Sequence, residues 1–317
     1  MREAQASASG KVNMLLRVGA PEKDGYHPLI SVFEALDLRE TVTVTTARTP
    51  GIAVSTTVYT PEGEVDGQAS AMMNELDPHR HLAARAARTL QRLAQSGPWA
   101  STAAGVRVHV DKRVPIAGGM AGGSADAAAT LVACNELWEL GLDADQLQAV
   151  GRTLGADEPA CLVGGIALGT GHGDHMQVLD SEHEHLWVCA TAHEGLSTPE
   201  VFRRRDEMGE WAELTRPDEQ TLAALTASAR EAAPYLHNDL AAAAFTLRPE
   251  LADTIEIGRE SGALAVILSG SGPTVAALVA DERAADSVAA AWREADQVDR
   301  VIITTRGPAH GSVASAN

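Results

Sequence analysis

The stretch Val114-Pro115-Ile116-Ala117-Gly118-Gly119-Met120-Ala121-Gly122-Gly123-Ser124-Ala125-Asp126 sets four glycines between a strand-like segment and a helix-like one. Upstream, Val106-Arg107-Val108-His109-Val110 alternates as a strand does. Downstream, Ala127 to Leu140 reads as a helix. Glycines at such a junction let backbone N–H groups converge with no Cβ atoms in the way. Ser124 stands where an N-cap is expected, and a helix start adds the positive end of a dipole. Together these features predict a phosphate-binding turn.

Two familiar phosphate loops are excluded. A Walker A loop needs Lys and then Ser or Thr after its last glycine, but Ser124-Ala125 follow Gly123. A dinucleotide fingerprint needs G-x-G-x-x-G, which the register Gly118, Gly119, Gly122, Gly123 does not supply. A triphosphate cradle without its own lysine remains, beside a plain glycine-rich turn. The rest of the chain must choose between them.

The chain has 317 residues, room for two domains with their own cores. It is 45% apolar and carries a net charge of −18, from 25 basic and 43 acidic residues. Such a balance disfavours nucleic acid and anionic membrane as partners, so a polyanionic ligand would need a local positive site. No apolar run reaches a membrane span, and Met1 to Gly10 lacks a signal-peptide core. Cys134, Cys161 and Cys189 are odd in number and show no C-x-x-C spacing. They read as small buried apolar residues in a reducing cytoplasm. Lysine is rare: Lys11, Lys23 and Lys112 stand against 22 arginines. A lysine retained in such a composition suits a task that needs a compact point charge rather than a planar fork.

In chain order, Ser9 to Val18 starts as a strand with Lys11 and Asn13 on one face, pointing either into a cleft or out from a solvated edge. Asp24-Gly25 marks a turn that presents Tyr26 and His27, two rings suited to stacking on a flat ligand or to plugging a core edge. Leu29–Leu38 and Thr41–Thr46 are expected to form an antiparallel pair turned at Arg39-Glu40, followed by a strand over Gly51–Val58 and a loop over Thr60–Gln68. His79 to Ala94 has helical spacing, with His79 and His81 at a solvated start. The helix after the glycine loop is expected to stop at Gly141, and Asp143 to cap a second helix. Asp157, just before Pro159, is either a functional carboxylate or the N-cap of a short helix. His172, His175, His183 and His185 are expected at the surface, without metal-ligand spacing. Later, Leu186–Thr191, Ala263–Ser269, Thr274–Ala280 and Val298–Thr305 read as strands. Asp218–Ala232, Asp239–Phe245, Pro249–Ser261 and Glu282–Ala295 read as helices, and Gly307–Asn317 as a loose tail. The order suggests an α+β chain with helices on one face of a sheet.

Five blocks in this order resemble the GHMP kinase superfamily, small-molecule kinases that lack a Walker A lysine. They are Gly10-Lys11-Val12-Asn13 with Met14-Leu15-Leu16, Asp24-Gly25-Tyr26-His27, Pro115 to Ala128, Leu154-Gly155-Ala156-Asp157, and Ser269 to Thr274. The Asp24–His27 block is similar to one branch, whose substrate is a cytidine diphosphate ester of methylerythritol in non-mevalonate isoprenoid biosynthesis. The resemblance implies a two-domain α+β fold: an ATP-binding domain over 1–182 with a left-handed βαβ crossover, a ferredoxin-like α/β-sandwich domain over 183–317, and the active site between them. It implies that Lys11 and Asp157 are the catalytic pair. Asn13, Tyr26 and His27 would bind the cytidine substrate, with Tyr26 stacked on the base. Pro115, Ile116, Ala117, Gly118, Gly119, Met120, Ala121, Gly122, Gly123, Ser124 and Ala125 would bind the phosphates of ATP, and Gly270, Ser271 and Gly272 would shape the cleft. ATP and Mg²⁺ are the implied cofactors, and a monomer or homodimer the implied state. The reaction implied is ATP-dependent phosphorylation of the 2-hydroxyl of that small-molecule substrate. A sister kinase acting on homoserine, mevalonate or a sugar is the alternative. A binding module that has lost its chemistry would bind ATP without releasing ADP. Two departures stand out. Glu158 and Cys161 replace apolar residues after the aspartate, with Glu158 expected to point to water. Ala125 replaces a second serine.

Overall fold

The computed structural model describes residues 2–23, 25–99, 103, 105–116, 118–192, 195–209, 211, 213–295, 300–309 and 312–313. The first half runs β1 (Glu3–Val18), β2 (Leu29–Ala47), β3 (Gly51–Tyr59), β4 (Val65–Asp66), α1 (Gly67–Glu75), α2 (Leu82–Gln95), β5 (Gly105–Lys112), α3 (Gly122–Leu137), α4 (Ala144–Arg152), α5 (Glu158–Val163), β6 (Ile166–Thr170) and β7 (His175–Leu179). The second runs β8 (His185–Ala192), α6 (Thr198–Met208), α7 (Glu219–Leu225), α8 (Ala229–Ala232), β9 (His237–Asn238), α9 (Ala241–Leu247), α10 (Glu250–Glu260), β10 (Ala265–Leu268), β11 (Val275–Val279), α11 (Glu282–Glu294), β12 (Arg300–Gly307) and β13 (Ser312–Val313).

Two sheets result. The larger has the order β13-β1-β2-β5-β3-β4, with β6 and β7 continuing from β2 and β9 pairing with β1. Its β3 and β5 are parallel, joined through α1 and α2. The smaller is antiparallel, β10-β11-β8-β12. Three cores hold them together. Leu90 of α2 and Leu131 of α3 pack on Val42, Val44, Val106 and Val108 of the larger sheet. Val12, Met14 and Val32 meet Trp187, Ile267 and Leu278 between the sheets. Leu251, Val288 and Trp292 cover the other face of the smaller sheet. Each fully buried aliphatic side chain of this kind contributes about 1.5–3 kcal/mol. All three cysteines are free and buried, as expected.

Several expectations are corrected. Arg39-Glu40 is not a turn: β2 is one strand of 19 residues running through it. Glu40 is buried and anchored by Lys112, and the partner of β2 changes, from β6 over Ser31–Glu34 to β5 over Thr41–Ala47. A change of neighbour in mid-strand has the sequence pattern of two strands. The segment 60–68 is not all loop, because Asp66 caps α1, its side chain accepting from the Ala69 N–H at 2.9 Å. The helix after the glycine loop ends at Leu137, capped at Trp138, with Glu139 and Gly141 both at positive φ in the exit turn. The helix expected over 218–232 breaks into α7 and α8, each with its own cap at Asp218 and Ser228.

Two histidines expected outside are inside. His81 is buried with Nε2 3.0 Å from Thr56 Oγ1. His185 is fully buried, with Nδ1 2.8 Å from Glu34 Oε2 and Nε2 2.9 Å from the Ala227 carbonyl. Burial opposes its charge, but the hydrogen bond to Glu34 outweighs this and raises its pKa. The described part of the tail is tied down too. Ala309 bridges the Ala35 and Gly165 backbones, and β13 pairs with β1. Among the described residues, no helix is long and apolar enough to cross a membrane.

Candidate active site

Residues two apart on a strand share a face, and β1 uses this to carry Lys11 and Asn13 inward together. The β1–β2 register shifts between Ser9 and Lys11 and again between Asn13 and Leu15, so irregular pairing brackets these two side chains. Lys11 is 4% exposed, which rejects the solvated-edge reading. Its Nζ donates to Asn13 Oδ1 at 2.6 Å, stands 3.7 Å from Asp157 Oδ1, and lies 5.6 Å from the centre of the Phe33 ring. Asn13 is locked in turn. Its Nδ2 donates to Ser31 Oγ at 2.8 Å, and that hydroxyl donates to the Leu15 carbonyl at 2.8 Å. Asp157 directly precedes α5 and makes no side-chain cap bond, so the simple N-cap role is rejected. Its side chain is 41% exposed and faces the ammonium.

The glycine loop lies beside this pair. Its carbonyls are occupied: the Lys11 N–H donates to Met120 O at 3.0 Å, Ser269 Oγ to Gly119 O at 3.5 Å, and the Thr274 N–H and hydroxyl to Gly118 O. The first N–H groups of α3 have no partner inside the helix and form the unspent polar face. The N-cap is Ala121 at φ 58°, not Ser124 as expected. Gly122 and Gly123 let the helix start earlier, so Ser124 becomes its third residue and lines the cleft. Gly119 has φ 77°, and a Cβ there would sit 2.7 Å from the Gly272 carbonyl. The first glycine loop and the 270–272 loop therefore touch, which demands glycine.

These groups line one cavity of about 1000 Å³. Of the expected residues, Lys11, Asn13, Tyr26, His27, Pro115, Gly118, Gly119, Ala121, Gly122, Gly123, Ser124, Asp157, Gly270, Ser271 and Gly272 line it. Ile116, Met120 and Ala125 do not; Met120 and Ala125 are core residues on the inward side of the loop. Ala117 and Asp24 fall outside the described residues. The two adjacent rings behave differently. Tyr26 is 66% exposed and stacks on His172 at 5.5 Å. His27 is buried between Phe202 and Trp211, each 5.1 Å away, and its Nδ1 donates to the Gly19 carbonyl at 2.9 Å. Its Nε2 stands 3.4 Å from Asp206 Oδ1.

Sequence reasoning missed Ser31, His172, Glu158 and all of α6, which supplies Phe202 and Asp206. The run Ser197-Thr198-Pro199 is a helix-start signal that could have revealed α6. Glu158 does not point to water. It is 2% exposed, and burial pushes its carboxyl up to about 7, with the Asp157 charge adding to the effect.

The sequence patterns of the GHMP kinases N terminal domain and the GHMP kinases C terminal domain match residues 81–165 and 219–297. The chain is 43% identical to the 4-diphosphocytidyl-2-C-methyl-D-erythritol kinase of Cutibacterium acnes, over 96% of its own length and 94% of the relative's. The chain belongs to the GHMP kinase family. This GHMP kinase is 44% identical to the enzyme of the same name from Streptomyces coelicolor, covering 95% of this chain and 96% of that one. A crystal structure of a 4-(cytidine 5'-diphospho)-2C-methyl-D-erythritol kinase superposes with a TM-score of 0.72 at 30% identity, over 96% of this chain and 99% of the other. A crystal structure of L. major mevalonate kinase superposes with a TM-score of 0.69 at 16% identity, over 98% of this chain and 97% of that one, a likeness of fold alone. The family makes this chain an ATP-dependent small-molecule kinase.

Proposed function

We propose that this GHMP kinase transfers the γ-phosphoryl group of ATP to the 2-hydroxyl of 4-diphosphocytidyl-2-C-methyl-D-erythritol, a step of non-mevalonate isoprenoid biosynthesis. The observation that carries the mechanism is the Lys11–Asp157 pair, 3.7 Å apart, in the wall of the same cavity as the unspent N–H groups of α3. The choice of substrate is supported by the names of the relatives and by Tyr26 and His27 lining that cavity.

In this reading the domain over 1–182 holds the nucleotide, and 183–317 closes the cleft with the 270–272 loop and α6. The glycine loop and Ser124 receive the triphosphate at the helix start. Asp157 orients the acceptor hydroxyl and takes its proton. Lys11, held by Asn13, offsets charge on the moving phosphoryl group. Phosphoryl transfer through a loose transition state depends mainly on such positioning and charge stabilisation. Tyr26 stacks on the cytosine and His27 meets its edge. Among the described residues no group of three His, Cys, Asp or Glu side chains is spaced to hold a metal. Mg²⁺ entering with the nucleotide beside Ser124 would supply positive charge that neutralises the phosphates.

A coupled assay of ADP release tests the proposal. Turnover is expected with the cytidine diphosphate substrate and not with homoserine, mevalonate or galactose. Turnover with one of those instead would overturn it in favour of a sister kinase. ATP binding without ADP release from any of them would indicate a module without chemistry.

A further inference from the structure

Asn238 is a buried polar residue to which the proposed reaction gives no task. It lies in β9 and does not line the cavity. β9 runs parallel to β1, with Asn238 opposite Leu16. The next residue grips the same strand twice: the Asp239 N–H donates to the Leu16 carbonyl at 3.0 Å, and the Asp239 carboxylate accepts from the Val18 N–H at 2.9 Å. The backbone of Asn238 is thus fixed to the strand that carries Lys11 and Asn13. Its side chain reaches the smaller sheet. Nδ2 donates to the Leu268 and Gly270 carbonyls, each at 2.7 Å, and Oδ1 accepts from the Leu240 N–H at 2.8 Å. A primary amide has two N–H donors, and here both are spent on one loop.

That loop, 269–272, is the cavity wall beside Lys11. A Cβ on Gly270 would lie 3.3 Å from Asn13 Oδ1 and 3.6 Å from Lys11 Nζ. Ser269, between the two gripped carbonyls, accepts from the Asn13 N–H at 3.3 Å. Ser271 Oγ meets Thr198 Oγ1 of α6 at 2.7 Å. The β10–β11 ladder ends at Leu268 and Val275, with one further bond from the Ser269 N–H to the Thr274 carbonyl. Beyond that point the ladder no longer sets the course of the chain, and Asn238 holds the Gly270 carbonyl.

We propose that Asn238 is a positioning residue, which clamps the 269–272 loop against the Lys11–Asn13 pair and so keeps the ammonium beside Asp157. The inference rests on Lys11 serving phosphoryl transfer, as in the proposed function. A lysine ends in a compact charge on a flexible four-carbon stem, so the walls around it decide where the charge sits. Asn13 takes one donor, and the Phe33 ring and Gly270 stand close by on the wall. Releasing the loop removes one of these restraints and lets the ammonium leave its place.

Asn238→Ser and Asn238→Asp test this. Both keep an oxygen for the Leu240 N–H. The serine is too short to reach the loop, and the ionised aspartate has no hydrogen to donate. The chain has three lysines, so each can be followed by mass spectrometry during labelling with a small acylating reagent. Lys23 is exposed, and Lys112 is as buried as Lys11 but outside the cavity wall. Labelling of Lys11 relative to Lys112 should rise about three- to tenfold for each hydrogen bond lost. At saturation with both substrates, kcat should fall about ten- to a hundredfold, the cost of a misplaced group. KM for ATP should change little, because the bonds from Thr274 to Gly118 are untouched. In a Lys11→Met background the same substitutions should cost less than about threefold, since no ammonium remains to position. An unchanged Lys11-to-Lys112 ratio overturns the proposal. So does a rise shared by both lysines, which marks a loosened fold, and so does a loss of kcat that repeats in full in Lys11→Met. Labelling needs no acceptor, so it reports on Asn238 even if the cytidine compound is never turned over, a result that would defeat only the functional reading.

Discussion

Lys11 and Lys112 are two of only three lysines in the chain, both lie on strands of the larger sheet, and both are almost fully buried. Their surroundings differ. Lys112 is 2.7 Å from Glu40 Oε1 and 2.9 Å from Asp126 Oδ2, two carboxylates that are themselves buried. Burial opposes its charge, yet Asp126 and Glu40 outweigh that and raise its pKa. Lys11 has one neutral partner at hydrogen-bond distance and one half-open carboxylate at 3.7 Å. An ammonium has three donors. Lys112 commits two of them to fixed anions, whereas Lys11 retains donors and a route to the cleft. Burial is common to both, so the number and openness of the partners separate a lysine held inside the fold from one that keeps donors toward the cavity. The two sites are also mechanically linked. Glu40 accepts from the Arg113 N–H at 2.7 Å, a Cβ on Gly122 would lie 3.2 Å from Glu40 Oε1, and Asp126 belongs to α3. The Lys112 cluster clamps both ends of the glycine loop, which lines the same cavity as Lys11.

This contrast makes opposite demands on the two lysines. Replacing Asp157 by Ala, or Lys11 by Met, should lower turnover by about two to four decades. Circular dichroism and melting should stay close to wild type, because no buried anion is left stranded. Wild-type turnover in either variant would break the comparison at its reactive end. Lys112→Met should do the reverse, leaving two buried carboxylates unpaired at a cost of about 3–5 kcal/mol of stability in urea unfolding. An unchanged midpoint would show that the cluster is not a clamp.

Tyr26→Ala removes an exposed ring that stacks on His172. It should raise KM for the cytidine substrate by about five- to a hundredfold, the range of one base–aromatic stack, while KM for ATP stays put. Equal effects on both substrates would place the ring elsewhere. The smallest effect concerns pH. The folded-state pKa of Glu158 is raised to about 7 from an ordinary 4.5. Its contribution to stability is therefore full below about pH 4.5 and is lost as pH rises through 7. Glu158→Gln should gain about 1–2 kcal/mol on wild type between pH 5 and pH 8. A gap that narrows with rising pH would contradict the buried carboxyl.

Much of the site was legible before any coordinates. Lys11 and Asn13 sit two apart on a strand, the glycine run lies between a strand and a helix, and Asp157 precedes a proline. These are local patterns of period, turn chemistry and capping, and such patterns survive folding unchanged. What was misread shares a different trait. Glu40, His81, Glu158 and His185 are polar residues that sequence reading sends to a turn or to water. Glu40, His81 and His185 are each buried against a partner far away in the chain, Lys112, Thr56 and Glu34, and the Glu158 carboxyl folds back over Gly155. No spacing rule announces such a pair, because the loss of hydration is offset only by a group that tertiary folding brings near. The unbroken course of β2 is hidden for the same reason, since its continuity depends on two different neighbours, β6 and β5.

The amino-acid sequence by itself determined the α+β class, the glycine-rich helix start and the identity of the lysine and aspartate that share its cavity, because these follow from residue type and short-range geometry. Only the tertiary structure decided that Lys11 keeps donors open to the cavity while Lys112 is held by two carboxylates, that Ser124 lies inside the helix rather than capping it, and that Glu158 turns inward. Those outcomes depend on which charges and hydroxyls meet once water is excluded, and that is a property of the packed chain rather than of any segment of it.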